Sequence, residues 1–274
     1  MSTSRGKRII ITIACIIVGL IIVAPLLYAL SLSLMTAGEI SQYPPKFIPS
    51  KITFSNFKEA LNQVPLFKFI LNSFIVSIAV TVGQVITASL AAYAFAFYDF
   101  KCKNLLFLMV LSTMMIPAET TIISNFLTVS SWGWNDSLKV LIVPFLTSAM
   151  GIFLIRQFYL TIPKELKEAS KIDGCSNLGF LFRILIPISK PAIASLSIYT
   201  FINTWNQYLW PLLTINNNSN RTVQIGISML QYAEGSNYGV IMAGAILILI
   251  PSILIFILGQ RQLVKGMTAG AVKG

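Results

Sequence analysis

Apolar residues gather into six stretches along this chain, at 9–30, 69–97, 105–127, 138–160, 192–215 and 240–258, and most of the charge lies between them. Each stretch approaches or exceeds the roughly 20 apolar residues that a helix needs to cross a hydrocarbon layer. The pattern predicts an all-α membrane protein with six transmembrane helices. Arg5, Lys7 and Arg8 precede the first stretch, and no small-residue cleavage site follows it. It is too long for the apolar core of a signal peptide, so it is expected to stay as a span.

The longest charged interruption on one side of the predicted bundle is 163–187, within a loop at 161–190. It reads as two short helices joined by a hinge. Pro163 suits a first helical turn, where its missing N–H costs nothing, and Glu165 and Glu168 sit near the positive end of the helix dipole. Leu166, Ala169 and Ile172 recur at a spacing that makes one apolar stripe. Asp173-Gly174 stops this helix, glycine accepting the left-handed conformation cheaply. Ser176 is placed to cap a second helix, in which Leu178, Phe180, Leu181, Ile184 and Leu185 surround Arg183. Pro187 is expected to end it. An amphipathic elbow of this kind needs a cover.

The elbow resembles the EAA loop of ABC-importer permeases: glutamate, two alanines, three residues, glycine, nine residues, then I-x-L-P. Glu168, Ala169, Ser170, Gly174, Ile184 and Pro187 occupy that spacing. Ser170 replaces the second alanine and Ile186 replaces the leucine, and both changes keep size or class. The resemblance implies the type I importer permease fold, with a loop that docks in a cleft of a cytoplasmic ATPase and transmits its closure to the membrane. The residues alone also fit an ordinary amphipathic loop lying on the membrane surface.

Composition agrees with the membrane reading. Of 274 residues 55% are hydrophobic and 11% charged, against about 25% charged in a typical soluble domain. The net charge of +11 would suggest a nucleic-acid partner in a soluble protein. Here topology accounts for it. With the N-terminus in the cytoplasm, 14 Lys and Arg fall inside and 6 outside, together the 20 in the sequence, as the positive-inside rule requires. Both termini and the elbow are then cytoplasmic. Cys15, Cys102 and Cys175 give no expectation of a disulfide, and the absence of histidine leaves no zinc-site signal. No G-x-x-x-x-G-K-[ST] occurs, so ATP must be hydrolysed by another chain.

Polar residues inside the spans are the remaining signals. The second span carries Asn72, Ser73, Ser77, Gln84, Thr87 and Ser89, which read either as helix-packing groups or as the lining of a path. Pro117 interrupts the third span. Glu119, roughly 22 Å along a continuous helix from Leu105, reads either as a functional carboxylate or as the partner of Lys139. In the fifth span Asn203, Asn206, Gln207 and Trp210 share one side of a continuous helix, with Tyr208 beside them. Aromatic faces and amides are the groups that bind polyols, so these residues are candidates for a substrate path or gate. Ser55–Asn62 in the outer loop is expected to form a short surface helix, and Asn135-Asp136-Ser137 and Asn217-Asn218-Ser219 read as external turns.

The string Trp205-Asn-Gln-Tyr-Leu-Trp-Pro-Leu212 resembles the carbohydrate branch of ABC permeases, including those for glycerol phosphate. The tail at 260–274 resembles the ends of sugar-importer permeases; alone it is expected to be disordered. That likeness implies contacts with the ATPases through Lys265, Gly270 and Lys273. The expected organisation is an N-terminal span and outer loop at 1–68, a permease core at 69–260 and a cytoplasmic tail at 261–274. The resemblance further implies a bacterial cytoplasmic membrane, a second homologous permease, two ATPase subunits binding ATP and magnesium, and an extracytoplasmic solute-binding protein. A secondary transporter not coupled to ATP is the competing reading. It needs an internal carboxylate relay, for which Glu119 alone qualifies, and usually repeated halves. A membrane scaffold would gain nothing from the buried amides of the fifth span.

Overall fold

Three of the apolar stretches form unbroken helices, and three are broken. The computed structural model describes residues 5–44, 46–233 and 237–268. Helix α1 (Arg5–Ser33) follows the first apolar stretch, and α2 (Ala37–Ile40) and α3 (Ser55–Gln63) form the outer loop. The long α4 (Leu66–Phe97) covers the second stretch. The third divides into α5 (Lys103–Ser112), with a 3-10 turn at Thr113–Met115, and α6 (Ala118–Ser131), bent by 97°. The fourth divides into α7 (Leu138–Ile142), with a 3-10 turn at Val143–Phe145, and α8 (Ala149–Tyr159), bent by 40°. The elbow supplies α9 (Glu165–Ile172), α10 (Asn177–Phe180), a π-helical turn at Leu181–Leu185 and α11 (Ile186–Ile188). Then come α12 (Lys190–Trp205), α13 (Leu209–Thr214), α14 (Val223–Ala233) and α15 (Tyr238–Thr268).

Proline positions explain the breaks in the third and fifth stretches, while Pro25 and Pro251 stay inside α1 and α15. A proline ring collides with the carbonyl four residues earlier and donates no hydrogen bond. Pro117 therefore disrupts the turn at Thr113, and Pro211 excludes a helical Gln207, where α12 has already stopped. Pro187 behaves differently. It lies inside α11, so the helix runs one residue past it, and the wide π turn before it makes room for the ring. The 80° bend falls at Ser189 instead.

Polar side chains of α4 bond backbone groups beside the α7–α8 break and in the segment 219–223. Gln84 Nε2 donates to Phe145 O (2.9 Å) and Thr87 Oγ1 to Leu146 O (2.8 Å), beside the break between α7 and α8. Gly83 leaves no room for a Cβ against the Leu146 side chain. Asn72 Nδ2 donates to Ser219 O and Arg221 O, both at 2.9 Å, and Ser73 Oγ accepts from Val223 N–H. The polar residues of α4 named here are packing groups.

Contacts separate the chain into two compact units, Met1–Phe67 with Gly226–Ile250, and Lys68–Ile225 with Pro251–Gly274. In the first, α3 is anchored by buried Asn56, whose amide donates to Ser33 O (3.0 Å) and Met35 O (2.7 Å). Gly239 passes close against that same amide, and Gly244 against Leu230. Residues 226–250 thus pack with the N-terminal segment, where 69–260 was expected to form one core. In the second unit, Phe180, Leu181 and Leu185 of the elbow are almost fully buried with Ala92, Ile155, Tyr159 and Leu196. Half of the elbow is core.

Candidate functional site

The elbow ends its first helix as its residues dictate. Gly174 has φ of +76°. Gly174 N–H bonds Lys171 O (3.0 Å) and Cys175 N–H bonds Ser170 O (2.9 Å), which together form a Schellman C-cap. Ser176 Oγ accepts from Gly179 N–H at 3.1 Å and starts α10.

The two side chains that α9 buries are not from its apolar stripe, of which Leu166 alone is partly buried against the core. Lys167 and Ser170 face inward, 8% and 4% exposed, while Ile172 is 88% exposed and Glu165, Glu168 and Ala169 lie on the surface. Lys167 Nζ stands 3.6 Å from the centre of the Tyr98 ring, 5.1 Å from that of Tyr93 and 5.8 Å from that of Phe97. It also donates to Phe97 O at 3.2 Å. A cation over aromatic faces is held by their quadrupoles, so a buried ammonium is stabilised here by rings and a carbonyl. The arrangement ties α9 to the end of α4. It leaves Glu168, Ala169 and Ile172 free to meet another surface. Lys167 was missed in the sequence, although the cluster Phe95-Ala-Phe-Tyr-Asp-Phe100 marks a ring-rich helix end.

The residues proposed for a path do not share one helical face. Helix α12 stops at Trp205, and Asn206 to Tyr208 form the break. Asn203 is exposed and its amide donates to Tyr199 O one turn back (2.8 Å). Asn206 Oδ1 accepts from Gln224 Nε2 (3.1 Å). Trp210 is buried, and its indole N–H donates to Val140 O at 3.0 Å. The structure does bring Gln207, Tyr208 and Trp210 to Glu119, around a cavity of about 260 Å³ that Thr121, Asn125 and Phe145 complete. The 97° bend voids the depth calculated for Glu119 along a straight helix, and places it in the first turn of α6. The two ion pairs formed among the described residues join Lys46 to Glu39 and Lys103 to Asp99, so Glu119 is not paired with Lys139. A neighbouring cavity of about 420 Å³ shares Asn125, Phe145 and Trp210 and adds Trp132 and Trp134.

The two expected external turns meet. Asp136, at φ +57°, accepts from the N–H groups of Asn216 and Asn217, and its own N–H donates to Thr214 O. These backbone donors, that of Asn217 foremost, hold its carboxyl below the ordinary aspartate range.

Helix α15 continues to Thr268, so the disorder expected of 260–274 does not describe 260–268. Lys265 lies within that helix. Gly270 and Lys273 lie outside the described residues.

A family described as binding-protein-dependent transport system inner membrane component matches residues 83–269. The chain is 33% identical over 268 residues to the arabinooligosaccharides transport system permease protein AraQ of Halalkalibacterium halodurans, covering 97% of this chain and 96% of that one. It is 38% identical over 262 residues to the sn-glycerol-3-phosphate transport system permease protein UgpE of Brucella melitensis, with 92% and 93% covered. Its fold matches a chain from the crystal structure of a bacterial ABC transporter involved in the import of the acidic polysaccharide alginate. That match has a TM-score of 0.84 at 22% identity, and spans 95% of this chain and 99% of the other.

Proposed function

This chain belongs to the family of binding-protein-dependent transport system inner membrane components, and on that premise we propose that it is the permease subunit of an ATP-driven carbohydrate importer. The observation that carries the reading is the outward face of α9. Glu168, Ala169 and Ile172 are presented to solvent while Lys167 and Ser170 hold the helix from behind. A partner ATPase docks on that face, and ATP and magnesium belong to the partner. Two such ATPases, a second permease and an extracytoplasmic binding protein complete the transporter. The elbow and both termini face the cytoplasm, consistent with the distribution of Lys and Arg.

The relatives named for arabinooligosaccharides and glycerol 3-phosphate direct the substrate reading to hydroxyl-rich solutes. The cavity between Glu119 and Gln207-Tyr208 suits them, with a carboxylate, an amide and aromatic surface in its lining. Asn203 lies in the last turn of α12 and Asn206 begins the break after it, and Trp210 positions α13. Lys265, and Gly270 and Lys273 outside the described residues, are the proposed contacts with the ATPases.

The test is the purified, reconstituted transporter with its binding protein. Loaded binding protein should stimulate ATP turnover and drive uptake of labelled oligosaccharide or glycerol phosphate. Ile172→Glu should leave assembly intact and cut stimulated turnover at least tenfold. The replacement pair Gln207→Leu and Tyr208→Leu should leave turnover stimulated but lower uptake or change which solute is taken. Wild-type stimulation with Ile172→Glu would remove the docking face, and transport without ATP would overturn the proposal.

A further inference from the structure

At the same end of the second unit as the elbow, α4, α5 and α8 enclose a recess of about 500 Å³. Three cationic side chains line it, Lys103, Arg156 and Lys164, against one carboxylate, Asp99. Lys103 is already committed, bonding Tyr98 O at 2.7 Å and Asp99 at 3.3 Å. Arg156 is not. Its guanidinium lies over the Phe107 ring at 4.0 Å, its Nε is buried without a hydrogen-bond partner, and no carboxylate of the described residues is within ion-pair distance. Lys164, just before α9, is exposed beside it.

We propose that this recess binds the phosphate of an anionic phospholipid head group, held by Arg156 and Lys164. Arginine presents a planar fork of donors that suits phosphate oxygens, and an orphaned buried donor leaves one hydrogen bond to be gained. The other walls choose a lipid over a free ion. Phe95, Phe100, Leu105 and Leu160 are apolar. From the mouth, Leu105, Leu108 and Met109 run along one face of α5 at 51%, 62% and 54% exposure, a strip on which an acyl chain can lie. Basic recesses between membrane helices hold anionic head groups by this combination of charge and apolar wall. Bound there, the lipid would bridge α5 and α8 immediately behind Lys164, at the root of the elbow. The inference rests on the chain's being a membrane permease, and not on which solute it carries.

The test uses the assembled transporter in dioleoylphosphatidylcholine nanodiscs containing graded dioleoylphosphatidylglycerol, with bound lipid counted by native mass spectrometry. Wild type should retain phosphatidylglycerol at low mole fraction. Arg156→Gln and Lys164→Gln should each weaken that retention about tenfold, the scale of one charge-assisted contact. Arg156→Lys should fall between. Lys101→Gln removes the same charge from the loop between α4 and α5, outside the recess, and should retain lipid as wild type does. Should Arg156→Gln fail to assemble, Lys164→Gln, whose side chain is exposed, decides alone. Equal retention in wild type and Lys164→Gln, or equal loss in Lys101→Gln, overturns the site. Displacement of the lipid by 20 mM inorganic phosphate would make the occupant a free anion and overturn the lipid assignment. Solute uptake, measured separately, reports on the transport reading whatever the lipid result.

Discussion

Lys167 shows how one side chain sets the presentation of a whole helix. A methionine in its place would fill the ring cluster but lose the cation–π contacts, worth up to about 2 kcal/mol when desolvated, and the bond to Phe97 O. Lys167→Met should therefore leave the transporter assembled while loosening α9, so that ATP turnover becomes less dependent on loaded binding protein. Lys167→Arg, which keeps the cation, should retain most of that dependence. Equal coupling in wild type and Lys167→Met would reduce the cluster to packing. Asp136 makes a second residue-scale case. Its carboxyl titrates below its ordinary value because backbone N–H groups of Asn217 and Asn216 bond the charged form. Its contribution to stability is thus complete above the ordinary carboxyl range, near pH 4, and is lost as pH falls through the lowered folded value. Wild type should lose melting temperature on acidification more steeply than Asp136→Asn, as read by tryptophan fluorescence between pH 6 and 3. Parallel pH profiles would dismiss this staple. Neither contact is visible in sequence, since Lys167 lies 70 residues from Phe97 O and Asp136 some 80 from its donors.

At the scale of elements, what is local in the elbow could be read and what is tertiary could not. Gly174 as C-cap and Ser176 as N-cap follow from residue chemistry within a single turn, and the short helix at Ser55 follows likewise. The face that α9 turns inward depends on rings of another helix, so periodicity identified the apolar stripe without telling which way it points. The breaks at Pro117 and Pro211 were legible in principle, because each proline names the carbonyl it displaces. Pro117 is read as an interruption, yet the depth of Glu119 is still counted along a straight helix. At Pro211 counting apolar residues passes over the break, so Asn203, Asn206, Gln207 and Trp210 are assigned one face that the backbone does not keep. Gly174 carries the element-scale prediction. Open space surrounds the site of a Cβ there, so substitution acts through φ alone. Gly174→Asn, which tolerates the left-handed region, should preserve binding-protein-stimulated turnover. Gly174→Val should cost about 1–2 kcal/mol at the hinge and depress stimulation. If the two variants behave alike, the hinge conformation is not what couples the elbow.

For the whole molecule, six apolar stretches and a charged elbow were enough to specify an all-helical permease, whereas its division into two packed units was not accessible. Packing of 226–250 with the N-terminal segment is decided by fits such as Gly239 against Asn56, which no periodicity records. One further contrast separates the spans. In the most apolar window of α1 no residue is buried, at a mean hydropathy of 3.1, while α5 and α6 are bent by 97° and carry Glu119, Asn125 and several threonines. A reporter fused after residue 36 should accordingly resist alkaline extraction from membranes, and a fusion bearing only 103–131 should be extracted; retention of both would deny the contrast. The first helix can therefore partition into lipid as it leaves the ribosome, without waiting for neighbours. On the proposed topology, with Lys7 and Arg8 on the side of synthesis, it sets the orientation of the segments that follow. The kinked helices, which line the proposed path, would mature only after that choice has been made, which makes the barest helix of the chain its pilot during biogenesis.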